Sequence, residues 1–429
     1  GFRDPRVHYD GKKLLFAYRK GGTHHYHLCE MNTDGSGFRQ LTFGDCDDVD
    51  PAYLPDGGII FASSRCNRFI ACNRVPTAIL YRMDGDGGNI LRLSANAIPD
   101  DRPAVLPDGR IVYTRWDYTD RDPEKFRDLW VMNPDGTGQM VLFGGVGRPY
   151  PDFFAKCDAL PIPGADKLVS VFSPAFGRRE NAGNVMVVDV KAGPGDWSAA
   201  EQVSPNDPKL GWSIGSGQGR DGFRDPYPLS ENCFLVAKDK SLLVLDGNGK
   251  TEEFHRGEKM VHDPCVIRSR TREPQIPSRI NLQKTTGQLV LTDVYRGRNM
   301  AGVERGTIRQ LLVLEDLPKP GSKHGLPGYH GVYLTLRRIL GTVPVEPDGS
   351  ASFEVPALRA VYFVALDAKG VAVKRMQNFT MVMPGETQGC VGCHEPRTET
   401  PDRRITGSVL TALKRPPSRI KPVPAVPDV

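Results

Sequence analysis

No run of about 18 apolar residues occurs anywhere in the 429-residue chain, so no segment reads as a membrane-spanning helix. A second C-x-x-C pair is missing, which withholds the four-thiolate ligand set of a structural zinc site. No G-x-S-x-G nucleophile motif and no paired catalytic carboxylates stand out, and a propeller hydrolase therefore lacks support. A large excess of one sign of charge is lacking too. The formal net charge is +5, and with no basic stretch interleaved by aromatics, nucleic acid is not an expected partner. The chain opens directly on Gly1-Phe2-Arg3-Asp4-Pro5, without the charged and apolar regions of a signal peptide, so a mature or trimmed form is expected.

What the chain has in quantity is turn residues. Its 46 glycines and 36 prolines point to many turns and short strands, while 39% hydrophobic and 25% charged residues fit a folded globular protein of two or three domains. A unit recurs: an Asp-Pro-like opening, a strand, a hairpin turn, a second strand and an outer hairpin. The first copy runs from Asp4-Pro5 through DGKKLLFAYR (10–19) to EMNTDGSGFRQLT (30–42). The second runs from Asp50-Pro51 through LPDGGIIFASSR (54–65) to RMDGDGGNILRLS (82–94), and the third through DDRPAVLPDGRIVYTR (100–115) to VMNPDGTGQMVLF (131–143). Asp56-Gly57, Asp108-Gly109, Asp135-Gly136 and Asp246-Gly247 supply the positive-φ positions that tight hairpins need.

Later copies diverge. One opens near Asp152 and holds LVSVFS (168–173) and NVMVVDV (184–190); another opens at Asp225-Pro226 and holds CFLVAKD and SLLVLDGNG. The last opens at His262-Asp263-Pro264 and takes in QLVLTDVY (288–295) and IRQLLVLEDL (308–317). Openings at Asp4, Asp50, Arg102, Asp152, Asp225 and Asp263 have the spacing of propeller blades, about 40–50 residues. The expected fold is all-β: a six-bladed β-propeller of TolB/WD40-like repeats over 1–318, a small β-sandwich over 319–383, a haem attachment segment over 384–413 and a Pro-rich tail over 414–429. A long array of β-sandwiches is the alternative, which accounts less well for the repeated Asp-Pro.

The haem expectation rests on Cys390, Cys393 and His394, a C-x-x-C-H motif. Two thiols one short turn apart can add to the two vinyl groups of a haem, and the adjacent imidazole can reach the iron. The ordinary alternative is a surface disulfide or half a zinc site. Covalent haem is assembled outside the cytoplasm, so a periplasmic or otherwise exported protein is expected. Seven other cysteines remain, an odd number that leaves at least one thiol unpaired in a monomer.

Other candidates carry bland readings beside sharper ones. Cys66 and Cys72 fit a short-loop disulfide; the alternative makes one of them a zinc thiolate. His262, Asp263 and Cys265 form a compact ligand set that is read first as a blade opening. The recurring Asp4, Asp50, Asp225 and Asp263 read as architecture, with Ca²⁺ or a substrate ammonium as the functional alternative. Met376, Met381, Met383, His324 and His330 are the candidates for the distal side of the haem, methionines being more often core filler. In the HHYH run, His25 and His27 are expected on a strand, facing away from Tyr26.

Three stretches carry a family resemblance: DDVDPAYLPDGGIIFASSRC (47–66), SFEVPA with YFVALDAKG (352–357 and 362–370), and MPGETQGCVGCHEPR (383–397). On these the chain resembles the hydrazine synthase alpha-subunit family of exported propeller cytochromes. The resemblance implies a six-bladed propeller, a β-rich middle domain and a c-type haem, in an enzyme that makes hydrazine from ammonia within a multi-subunit assembly. It also implies that His394 could bind zinc, with a tyrosine four residues later on the iron; this chain has Thr398 there. The second C-x-x-C-H domain that family members often carry does not follow the tail. The expected function is a redox enzyme subunit acting on small nitrogen compounds, with other cytochrome subunits or redox proteins as partners. A non-catalytic propeller scaffold or electron-relay subunit is the competing expectation.

Overall fold

Glycine-containing turns between runs of Val, Ile, Phe and Tyr fold five copies of the repeat into four-stranded antiparallel sheets. The computed structural model describes residues 1–71, 74–118, 126–144, 155–173, 181–205, 222–297, 299–319, 321, 336–392 and 411–423. Sheet 1 comprises β1 (Phe2–Val7), β2 (Lys13–Tyr18), β3 (His27–Asn32) and β4 (Arg39–Gln40). Sheet 2 comprises β5 (Asp48–Tyr53), β6 (Ile59–Ser63), β7 (Ile79–Met83) and β8 (Leu91–Arg92). Sheet 3 comprises β9 (Asp100–Val105), β10 (Ile111–Trp116), β11 (Arg127–Met132) and β12 (Met140–Phe143). Sheet 4 comprises β13 (Ala155–Pro161), β14 (Lys167–Ser173), β15 (Asn184–Asp189) and β16 (Ala200–Gln202), and one parallel bridge, Arg127 to Ala155, joins it to sheet 3. Sheet 5 comprises β17 (Arg224–Ser230), β18 (Cys233–Lys238), β19 (Ser241–Asp246) and β20 (Thr251–Arg256).

Side chains alternate between the two faces of each sheet, and the middle sheets bury both. Ile111 and Tyr113 of β10 pack with Ile60 and Leu80 of sheet 2, while Val112 between them packs with Leu168 and Phe172 of sheet 4. Leu15 and Leu28 of sheet 1 meet Ile59 and Phe61, and Val169 and Val185 of sheet 4 meet Phe234 and Val236 of sheet 5. Radial stacking of this kind is how a propeller buries sheets on both sides. Among the described residues no apolar cluster joins sheet 5 to sheet 1. The far face of sheet 1 carries Phe2, stacked on Phe16 and Tyr18 with ring centroids 5.5 and 4.6 Å away, and Phe2 is 70% exposed.

The strands expected in the sixth copy are not in a blade. They are β21 (Thr286–Leu291) and β22 (Gln310–Leu317), and both pair beyond the propeller. Five further strands complete that region: β23 (Leu336–Pro344), β24 (Ala351–Pro356), β25 (Val361–Leu366), β26 (Ala372–Arg375) and β27 (Thr387–Cys390). One sheet has the order β24-β21-β27 and the other β23-β22-β25-β26. Leu289 and Leu291 of the first face Leu311, Val313, Val343 and Val361 of the second across one core. Since β22 is hydrogen-bonded on both edges, to β23 and β25, it has no edge left to give a blade. The strand pairings therefore start the sandwich at Thr286 rather than near 319. In sheet 1, β3 starts only at His27, so His25 precedes the strand it was expected on.

Between Arg256 and Thr286 the chain forms no strand and runs as a strap over the hairpin turns of sheets 1 to 3. Arg270 N–H donates to Tyr9 O at 2.9 Å, and Arg272 Nη1 to Pro55 O at 3.1 Å. Farther on, Arg279 N–H donates to Asp135 Oδ2 at 2.6 Å, and Asn281 N–H to Pro384 O at 2.8 Å. The Arg270 and Arg272 guanidinium groups lie 3.8 and 4.8 Å from the Tyr9 ring centroid. The strap passes so close to the third hairpin that a Cβ on Gly109, whose φ is +87°, would sit 2.2 Å from Pro274 O. Gly109→Ala is thus expected to cost about 1–3 kcal/mol, through the strained φ and the displaced strap. It should also speed proteolysis near Pro274; melting and cleavage equal to wild type would show that the strap is not held there.

Candidate functional site

Every inner strand is interrupted at the residue that opens its repeat. Asp4, Asp50, Arg102, Asp158 and Asp225 have φ of 55, 50, 56, 54 and 51°. The register of β1, β5, β9, β13 and β17 shifts at those points. A bulge there accommodates the next residue, which is Pro5, Pro51, Pro103 or Pro226 in four of the five and has no N–H for the ladder. Aspartate tolerates this left-handed backbone better than most side chains. Asp263, at φ 50° and followed by Pro264, repeats the conformation within the strap.

The fourth opening is Asp158 rather than Asp152, which lies outside the described residues. A signal for it was present. Asp4 precedes Gly11, Asp50 precedes Gly57 and Arg102 precedes Gly109 by seven positions each, while Asp158 precedes Gly164 by six and Asp152 by twelve. Ala159 in place of proline hid it.

These residues are laced together at the centre of the propeller. Asp225 Oδ2 accepts the Asp263 N–H at 3.1 Å, Asp263 Oδ2 accepts the Asp4 N–H at 3.3 Å, and Asp4 Oδ2 accepts the Asp50 N–H at 3.0 Å. Arg102 is paired with Asp158. Sheet 5 is thereby tied to sheet 1 through Asp263. Burial, reinforced by the charges of Asp225 and Asp4, pushes the Asp263 carboxyl up to about 8. Burial also raises Asp158 to about 6 against the pull of Arg102, and lifts Asp50 well above the carboxylate range. In Asp225 burial is outweighed by the bonds from His262 and the Asp263 N–H, which hold it low.

The residues offered as an alternative zinc set each have other partners. His262 Nδ1 lies 3.2 Å from Asp225 Oδ2, Asp263 is engaged with Asp4, and Cys66 Sγ donates to Thr77 O at 3.5 Å in sheet 2. Among the described residues no three His, Cys, Asp or Glu side chains are grouped to hold a metal ion. Cys66 is a free thiol, half-buried against the core of sheets 1 and 2 rather than in the short-loop disulfide; Cys72 lies outside the described residues. Cys265 is also a free thiol, its pKa raised by burial. Met381 and Met383 are core residues between sheets 2 and 3, and Met376 is half-buried beside Tyr362 and Phe379. His324 and His330 lie outside the described residues.

The haem motif leaves the sandwich along β27, which pairs parallel to β21 with Cys390 opposite Leu291. Past the strand, Thr292 N–H donates to Cys390 O at 2.9 Å and Asp293 N–H to Val391 O at 3.2 Å. A Cβ on Gly392 would lie 2.3 Å from Arg296 O, so only glycine fits between the two motif cysteines at that point. Cys390 is half-buried at the rim of the sandwich core. Its thiol, delivered at the end of a fixed strand, fits one thioether of a c-type haem. Cys393, His394 and Thr398 lie outside the described residues. One buried acid escaped sequence reasoning: Glu386, which looks like a solvated turn residue in PGETQG, is 7% exposed.

Residues 306–395 match the family model described as the hydrazine synthase alpha subunit middle domain. Over that stretch the chain is similar to the hydrazine synthase alpha subunit middle domain. Its fold is similar to that of Kuenenia stuttgartiensis hydrazine synthase, with a TM-score of 0.75 and 20% identity, over 92% of this chain and 62% of that one. The chain thus spans less than two thirds of that relative. TolB from Acinetobacter baumannii is similar over 61% of this chain and 55% of its own, at 15% identity and a TM-score of 0.39. No curated protein matches it. Among the described residues no helix is long and apolar enough to cross a membrane.

The raised Asp263 carboxyl gives a signed expectation. With an unfolded value of about 3.9 and a folded value of about 8, the folded state holds the proton more tightly. The contribution is fully present below about pH 4 and is lost as pH rises through about 8. Asp263→Asn keeps an acceptor oxygen and tolerance of positive φ but cannot titrate. Wild type should therefore lose Tm relative to Asp263→Asn between pH 5 and pH 9, and parallel Tm profiles would refute the assignment.

Proposed function

We propose that the chain is an exported c-type haem protein, with one haem held by thioether bonds to Cys390 and Cys393 and by His394 on the iron. One observation carries this reading: the C-x-x-C-H motif continues directly from β27, the strand that completes the sheet of the family-matched middle domain. When bound, the haem supplies electron transfer or activation of a small ligand at its iron. The chain's own residues fix where it sits, through the backbone bonds to Cys390 and Val391 and the close approach at Gly392. Zinc at His394 is the further role the resemblance implies. In the same reading the propeller is six-positioned: Asp263 takes the sixth place in the central ring, supported by its φ and its bonds to Asp225 and Asp4.

The reaction class proposed is redox chemistry on small nitrogen compounds, in an assembly with other cytochrome subunits, supported by the likeness to hydrazine synthase. A second reading, an electron-relay or scaffold subunit, is favoured by Thr398, which cannot replace a tyrosine on the iron. The test begins with the purified, denatured protein. A covalent haem band is expected and should be abolished by the double change Cys390→Ser with Cys393→Ser; its absence from wild type would end the reading. Carbon monoxide then separates the two roles. A spectral shift of the reduced protein marks an open, reactive iron, and no shift marks a six-coordinate relay.

A further inference from the structure

Glu386 stands four residues before Cys390, and its buried carboxyl receives two backbone donors from different parts of the molecule. Oε2 accepts the Met383 N–H at 2.7 Å, closing the turn that starts β27. Oε1 accepts the Gly138 N–H at 2.8 Å, from the hairpin between β11 and β12 of the propeller. Both partners are donors, so the side chain must offer two acceptor oxygens. A carboxylate does so; an amide would turn its NH₂ against one of the N–H groups. Burial raises the Glu386 carboxyl above the usual range while these two bonds oppose the rise.

The hairpin on the other side of the bond is itself stiff. Asp135 Oδ1 accepts the Thr137 N–H and hydroxyl at 3.0 and 2.7 Å, and its Oδ2 accepts the strap's Arg279 N–H. A Cβ on Gly136 would stand 2.9 Å from Met383 Sδ and 3.0 Å from Leu93 O, so the hairpin is already wedged between sheet 2 and the chain entering β27. From Glu386, four residues of extended chain, about 13 Å, reach Cys390 with no bend between.

We propose that Glu386 is a positioning residue that locks the strand bearing Cys390 to the third propeller sheet, so that the propeller sets the orientation of the haem. Its consequence for the haem rests on the haem reading above; the lock itself does not. The experiment compares wild type with Glu386→Gln and Glu386→Ala. Both should carry covalent haem at wild-type stoichiometry, because attachment belongs to the cysteines. Amide exchange of residues 387–390 should rise about tenfold or more in Glu386→Gln and further in Glu386→Ala. The haem reduction potential and visible spectrum should shift in the same order. Unchanged exchange overturns the lock, and raised exchange with an unmoved potential and spectrum overturns the positioning role. Should Glu386→Ala fail to fold, the isosteric Glu386→Gln decides both points. A wild-type protein without covalent haem would sink the haem reading alone, with exchange still judging the lock.

Discussion

A carboxylate oxygen set beneath the next strand's N–H is the interaction on which the propeller depends. Sheets 1 to 5 hold one another by apolar packing, but between sheet 5 and sheet 1 the described residues offer no apolar cluster, and the bonds through Asp225, Asp263 and Asp4 make the connection instead. Buried hydrogen bonds each contribute about 0.5–1.5 kcal/mol, and about 1.5–3 kcal/mol where the acceptor is charged. The cost is burial of the carboxyls, added to by crowding of like charge, visible in the raised Asp263, Asp158 and Asp50. Arg102, the one cation among the six openings, relieves it by pairing with Asp158.

That joint also decides where the rest of the chain goes. After Asp263 no strand partner is offered, so the backbone leaves the centre and satisfies itself on the hairpins it crosses, at Tyr9, Pro55 and Asp135. It enters the sandwich as β21, the middle strand of a three-stranded sheet, with β27 on its far edge. The strand that ends at Cys390 is therefore tied in by two routes that meet at one hairpin: the strap holds Asp135 and Glu386 holds Gly138.

Much of this was legible from turn chemistry and strand period. Asp56-Gly57 and Asp108-Gly109 marked hairpins that exist, and the apolar runs that follow them are β6 and β10. The sixth copy misled because QLVLTDVY and IRQLLVLEDL have the period and composition of blade strands, and those properties say nothing about which edges will pair. Asp158 was obscured because the eye followed Asp-Pro, whereas the backbone requires only the positive φ and a fixed distance to the next turn. Glu386 was invisible for a different reason: its partners, Met383 N–H and Gly138 N–H, are backbone groups with no sequence signature.

The same geometry argues against the centre of the propeller as the seat of cation chemistry. A hard cation needs several ionised oxygens converging on one point. Here the Oδ2 atoms of Asp4, Asp225 and Asp263 are each spent on a backbone N–H, and Asp263 retains its proton near neutrality. Freeing those oxygens would release the joint between sheets 5 and 1. Architecture and metal binding would draw on the same carboxylates. At the end of β27, away from that ring, Cys390 is held by backbone bonds to Thr292 and by its pairing with β21.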